Sequence, residues 1–296
     1  MSIVPFTTLL DRAVHAGYAI GYYESWDQYS LEAALEAAEE CRSPAILGFG
    51  GAVTSRAWMD GNGVEELSVL ARCLAERSTV PVAVLFNEAG TYEQLMRGLH
   101  SGCNAVMLDT SHLPYDENLA LTRQVVDAAH PLGVAVEAEL GHLADGTDSQ
   151  VKAAVTDSHE AAAFVAASGI DALAVSIGNM HILADGEAQV DIELLAQIHR
   201  LVRAPLVIHG GTGFPAAAVS AAIARGVAKF NVGTRLKQTY LAGVKDAVAV
   251  LPDRLNVHRY VGSREAEDVF NYAKERLKKE IIRYMHLYGS AGKASV

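Results

Sequence analysis

Cysteine is scarce: 296 residues contain three, Cys41, Cys73 and Cys103, at no ligand-like spacing. That argues against a disulfide framework or a cysteine-built zinc site and suits a reducing cytosol. No window approaches the ~18 consecutive apolar residues of a membrane helix. The first twenty residues, MSIVPFTTLLDRAVHAGYAI, have no basic start and carry Asp11 and Arg12 inside the apolar stretch. No signal peptide is read there, so a cytoplasmic protein is expected, without a membrane partner. Positive charge is in deficit, 24 Lys and Arg against 35 Asp and Glu for a net −11, and nucleic acid is not an expected partner without a basic face. Linkers, low-complexity runs and composition shifts are also missing, which points to one domain over 1–296. What is present is an apolar half and a charged fifth, enough for a sizeable core and too apolar for disorder.

Eight short apolar or β-branched runs recur along the chain, at 18–24, 45–50, 81–87, 104–109, 133–140, 171–178, 205–210 and 228–233. Several are continuously apolar, the pattern of strands buried on both faces of a parallel sheet. Stretches with apolar residues three and four apart lie between them, such as LEAALEAAEEC (31–41) and DIELLAQIHRLV (191–202). Glycines at 102, 133, 169 and 226 suit the left-handed helix ends that precede a strand. Eight β-then-α units in roughly 250 residues predict an α/β fold, a (β/α)8 TIM barrel. A doubly wound open sheet would need a glycine-rich turn after the first strand, and YAIGYYESWD has none. Residues 263–289 form a predicted amphipathic helix appended to the barrel, with Val269, Ala273, Leu277, Ile281 and Tyr284 facing the barrel or a second subunit.

Chemistry in such barrels gathers at the C-terminal strand ends. Those ends carry Glu24, Asn87, Glu88, Asp109, Glu137, Glu139, Asn179, His181, His209 and Asn231, on a chain that is half apolar. A lone histidine is more often hydrogen-bonded structure than a ligand. Two at neighbouring strand ends beside carboxylates point instead to a divalent metal, with Glu88, His181, His209 and Glu139 as ligands and Asp109 nearby. That set suits zinc, manganese or iron, and ligand softness alone does not choose among them. Of the other histidines, only His142 invites a functional reading. HGGTG (209–213) and NVGT (231–234) follow strands seven and eight, where barrels often bind phosphate. Gly210, Gly211, Thr212, Asn231, Val232, Gly233 and Thr234 are the expected phosphate contacts.

MLDTSHLPYDEN (107–118), VEAELGHL (136–143), ALAVSIGNMH (172–181), LVIHGGTG (206–213) and KFNVGTRLK (229–237) together resemble the class II, metal-dependent fructose-bisphosphate and tagatose-bisphosphate aldolases. The resemblance spans essentially the whole chain. It implies a homodimer or homotetramer holding a divalent metal, usually zinc, and acting on a small phosphorylated sugar. It further implies that His181 and His209 ligate the metal, that Asp109 and Glu139 line its pocket, and that the two glycine loops hold the ketose phosphate.

The departures from that family bear on substrate. Where the family has an Asp-His pair after strand three, a proton-moving residue and a metal ligand, this chain has Asn87-Glu88. An asparagine amide cannot serve as that base. Glu24 replaces the usual Asn, Ile182 replaces a Gly, and Asp145 and Asp148 are the candidates for the acidic role of the loop after strand five. The expected activity is carbon–carbon cleavage of a phosphorylated ketose or keto-sugar acid other than fructose 1,6-bisphosphate, with Glu24 or Glu88 as base. An isomerase or epimerase using the same enediolate is the alternative, and an inactive structural homologue is a third reading. Loss of one general base would slow ordinary fructose-bisphosphate cleavage by ~10²–10⁴-fold.

Overall fold

The computed structural model describes residues 2–51, 54–146 and 153–295. Eight parallel strands close into a barrel: β1 (Ile20–Tyr23), β2 (Ala45–Gly50), β3 (Val82–Ala89), β4 (Ala105–Leu108), β5 (Ala135–Leu140), β6 (Ala172–Val175), β7 (Leu206–Ile208) and β8 (Val227–Val232). β1 closes the ring against β8, pairing Ile20 with Lys229 and Tyr22 with Asn231. The (β/α)8 barrel expected from the strand spacing is therefore the observed fold. An additional two-stranded ribbon, Ala144–Asp145 with Met180–His181, crosses the rim, and His181 comes from it, not from β6 itself.

Two apolar layers account for the fold's stability. Outward residues such as Phe49, Phe86, Val136, Leu173 and Phe230 pack under the surrounding helices. Inward residues are smaller, among them Ala83, Ala105, Ala135, Ala172 and Ala174, and they fill the lower barrel with Ile46, Leu85 and Val207. Phe6, Leu9 and Leu10 of the helix Phe6–Ala16 join this inner cluster. With that end filled by apolar side chains, the strands' C-terminal end is left to carry polar ones.

The appended helix runs over Val269–Leu287, begun by Asp268, whose carboxylate accepts from the Phe270 and Asn271 N–H groups. Its five predicted apolar positions are all buried. They pack on this chain's own helices Gln28–Cys41 and Thr234–Ala249, the second of which opens at the rim. Close approach there requires Gly243, since a Cβ would stand 2.8 Å from the Ala273 Cα. Among the described residues no helix is long and apolar enough to cross a membrane. Leu277 is 1% exposed, so Leu277→Ala should cost about 2–5 kcal/mol, read as a lower denaturant midpoint at unchanged slope.

Candidate active site

Strand alternation aims the site. On β5, Ala135 belongs to the inner apolar layer, so Glu137 and Glu139, two and four residues on, also face inward. The same count carries Val207 on β7 to His209 just beyond it. β3 breaks the rule: its register against β4 shifts between Phe86 and Ala89, and Glu88 has a left-handed φ of 48°. That bulge turns Asn87 and Glu88, consecutive residues, into the same cavity. Ile182 also has a left-handed φ, 50°, a strained setting for a β-branched side chain at the cavity wall.

Glu88, Glu139, His181 and His209 bring one ligand atom each to within 4.8 Å of one another. His209 lies at the centre. Its Nδ1 is 3.0 Å from a Glu88 oxygen and 3.0 Å from a Glu139 oxygen. Neither contact has the geometry of a hydrogen bond, so this buried nitrogen is left without a partner among the described residues, as is Oε1 of Glu139. Its other nitrogen, Nε2, is 2.9 Å from Glu137 Oε1. With the proton on Nε2 donated to Glu137, Nδ1 presents its lone pair to the space between two carboxylates and the His181 imidazole. A carboxylate holding a histidine's far nitrogen is the usual support of a metal-bound histidine. The donor set therefore fits a divalent cation.

Charge leads to the same point. Lys229, fully buried, is 2.9 Å from Glu137 and 2.6 Å from Asn231 Oδ1. Lys237 is 2.7 Å from Glu24. Two ammoniums against the carboxylates of Glu24, Glu88, Glu137 and Glu139 leave two negative charges, those a dication would neutralise. Burial alone would raise Glu88, but the neighbouring His209 and His181 imidazoles and the Lys229 ammonium outweigh it and hold the carboxyl at about 2. Burial pulls Lys229 below its ordinary value against the opposing pull of Glu137. Burial raises Glu24, with Lys237 opposing.

Glu24, Asn87, Glu88, His181, His209 and Lys237 open into a cavity of about 430 Å³ whose wall also includes Tyr22, Gly210, Thr212, Asn231, Val232, Gly233 and Thr234. A profile of the family described as fructose-bisphosphate aldolase class-II matches residues 4–293. The chain belongs to that family. Over 298 residues it is 34% identical to the probable fructose-bisphosphate aldolase of Bacillus subtilis (strain 168), spanning 99% of this chain and all of that protein. It is 31% identical to the sulfofructosephosphate aldolase of Alkalicoccus urumqiensis, spanning 99% of both. The crystal structure of the YdjI aldolase from Escherichia coli K12 superposes with a TM-score of 0.81 at 30% identity, over 99% of this chain and all of that one. The protein is thus an aldehyde-lyase of the class II aldolase family, a family that depends on divalent metal and acts on small phosphorylated sugars.

Most of the residues singled out in the sequence meet in this class II aldolase cavity or in the four-residue cluster that adjoins it; Asp109, Gly211, Asp145 and His142 are among those that do not. Asp109 does not reach the four-ligand cluster; β4 ends before it, and its Oδ1 accepts from the Ser111 N–H and hydroxyl, capping its own turn. Gly211 spends its N–H on the Asn231 carbonyl at 2.7 Å and does not line the cavity. Asp148 lies outside the described residues, and Asp145 pairs in register with His181 in the rim ribbon. His142 lies 3.4 Å from Ser111 Oγ, away from the cluster. Sequence reasoning passed over Lys229 and Lys237 although both lie in the quoted KFNVGTRLK; a lysine two residues before a rim asparagine, on a strand facing inward, was the available signal. Glu137→Gln, which keeps the side chain's shape but not its charge, should weaken metal retention by about 10–100-fold, measured by elemental analysis after dialysis against graded chelator.

Proposed function

We propose that this protein catalyses metal-dependent retro-aldol cleavage of a phosphorylated ketose or keto-sugar acid, releasing a dihydroxyacetone-phosphate-like fragment and an aldehyde. The observation that carries this reading is the unpartnered Nδ1 of His209 between Glu88 and Glu139, with His181 beside them. Glu88, Glu139, His181 and His209 would hold the ion, zinc in the first instance, with manganese or iron as alternatives. When bound, it supplies Lewis-acid polarisation of the substrate carbonyl.

The chain's own residues divide the remaining work. Gly210, Thr212, Asn231, Val232, Gly233 and Thr234 line the side assigned to the phosphate. Gly210 adopts a left-handed φ of 67°, and a Cβ there would stand 2.0 Å from the Met180 carbonyl, so the turn admits glycine alone without rearrangement. Thr234 opens the helix Thr234–Ala249, whose N-terminal dipole favours an anion. Asn87 is buried with its carbonyl oxygen 3.4 Å from Asn231 Nδ2 and can orient a substrate hydroxyl without taking its proton. Glu88 is engaged with the histidines, which leaves Glu24 as the base, held by Lys237 at the cavity wall. Asn87 in place of an acid argues for a substrate other than fructose 1,6-bisphosphate. The relative named sulfofructosephosphate aldolase supports that latitude, since proteins of this family carry names for more than one ketose phosphate. We assign the chain to a homodimer or homotetramer on the family resemblance.

Protein purified without chelator should contain about one divalent metal per chain, and His209→Ala should lose it. No bound metal after zinc and manganese supplementation would overturn the reading. Glu24→Gln should retain the metal and lower turnover by ~10²–10⁴-fold. A base must be ionised, and burial raises Glu24. Turnover should therefore fall on acidification through a midpoint above the ordinary glutamate value, and that limb of the pH profile should vanish in Glu24→Gln.

A further inference from the structure

Tyr22 stands on β1 in register with Asn231 on β8 and Ile46 on β2. Its ring lies along β2, where glycine leaves room for it: a Cβ at Gly48 would stand 3.0 Å from its Cε2, and one at Gly50 would stand 3.8 Å from its hydroxyl oxygen. The Glu24 carboxyl carbon is 3.8 Å from that same Gly50 position. Gly50 is in register with Asn87 on β3. The phenol and the Glu24 carboxylate therefore close on one niche beside Asn87, at the edge of the loop after β8, where a Cβ at Gly233 would stand 2.2 Å from a Glu24 oxygen.

The hydroxyl is buried, its residue 2% exposed, and it has no hydrogen-bond partner among the described residues although it belongs to the cavity wall. Leaving a buried hydroxyl unpaired is costly, and phenylalanine would have avoided that cost. Tyr23 and Tyr288 also bury unpaired hydroxyls, but neither residue lines this cavity. On the ring of Tyr22, Lys229 Nζ sits 5.2 Å from the centroid and helps fix its plane.

We propose that Tyr22 is a substrate-contacting residue of the reaction, its hydroxyl donating a hydrogen bond to the substrate oxygen that becomes the carbonyl of the departing aldehyde. The assignment rests on the carbon–carbon cleavage reading above. Burial, and then the nearby carboxylates of Glu24, Glu88 and Glu137, raise the phenol well above its ordinary value, so it stays protonated and serves as a donor, not a base. In the cleavage step the substrate O–H proton passes to Glu24 and the carbon–carbon electron pair passes to the ketose fragment. The C–O bond becomes C=O, and Tyr22 keeps its proton throughout. A fixed donor at an oxygen that gains negative charge in the transition state accelerates that step selectively.

The test compares Tyr22→Phe with the wild-type holoenzyme, using dihydroxyacetone phosphate as the probe. Exchange of its C–H hydrogen with deuterated water, followed by NMR, reports the ketose half alone. Addition to whichever of glycolaldehyde, D-glyceraldehyde or L-glyceraldehyde the wild type takes fastest reports the aldehyde half. The ratio of addition to exchange should fall at least about tenfold in Tyr22→Phe, with metal content and thermal midpoint no lower than wild type. An unchanged ratio, or equal loss of both rates, would overturn the assignment. A lower thermal midpoint would overturn it as well, because it would mean the hydroxyl is paired within the fold. A metal-loaded wild type that exchanges no hydrogen of dihydroxyacetone phosphate would instead overturn the cleavage reading on which the assignment rests.

Discussion

Four glutamates are carried to one rim of a barrel whose opposite end is filled by apolar side chains, and the neutralisation of their charge organises the groups around them. Carboxylates withdrawn from water are costly unless paired. Lys229 answers Glu137 from across the barrel, and Lys237 answers Glu24 from the helix after β8. Glu88 and Glu139 are left facing His209. Because Glu137 holds the far nitrogen of that histidine, the near one is turned toward the other two carboxylates without a hydrogen-bond partner among the described residues. The Lys229–Glu137–His209 chain thus lets a buried ion pair fix the orientation of the histidine at the centre of the cluster.

The substituted positions of the site form a connected set. Asn87 cannot move a proton, and next to it Glu88 brings a negative charge into the cluster. Glu24 and Tyr22 reach the same niche from β1, over a glycine of β2. A change of acid to amide at one strand end is thereby matched by an acid and a hydroxyl arriving from two strands away. The glycine loops after β7 and β8 keep the geometry of an anion site, with Gly210 forced to glycine by the Met180 carbonyl. On the family resemblance, the departures gather at the ends of β1 and β3, whereas the loops after β7 and β8 follow the family's motifs.

Strain accompanies these departures. Glu88 and Ile182 both adopt left-handed backbone conformations, and both line the cavity. At Glu88 the cost purchases direction, since the bulge is what lets two consecutive residues face inward. Ile182 stands where the resembling family has glycine, and its positive φ retains the backbone path that glycine would take freely. Such residues persist only where the surrounding structure holds them, as the rim ribbon does here.

The barrel itself was legible in the chain, because a strand buried on both faces must be continuously apolar and eight such runs recur at the spacing of β-then-α units. The cluster of Glu88, Glu139, His181 and His209 was legible for a related reason, because polar residues at apolar strand ends stand out, although His181 reaches it from the rim ribbon. Asp109 stood out equally, yet local hydrogen bonds to Ser111 keep it at its own turn, and nothing in its position along the chain records that. Lys229 and Tyr22 were read as ordinary strand residues. Their roles depend on partners 92 residues away for the lysine and on room left by Gly48 and Gly50 for the tyrosine. Periodicity and residue type are local properties, and they determined the architecture and the chemical inventory. Which charges face one another, and which buried groups stay unpaired, follows from ring closure and strand register, and these only the tertiary structure decided.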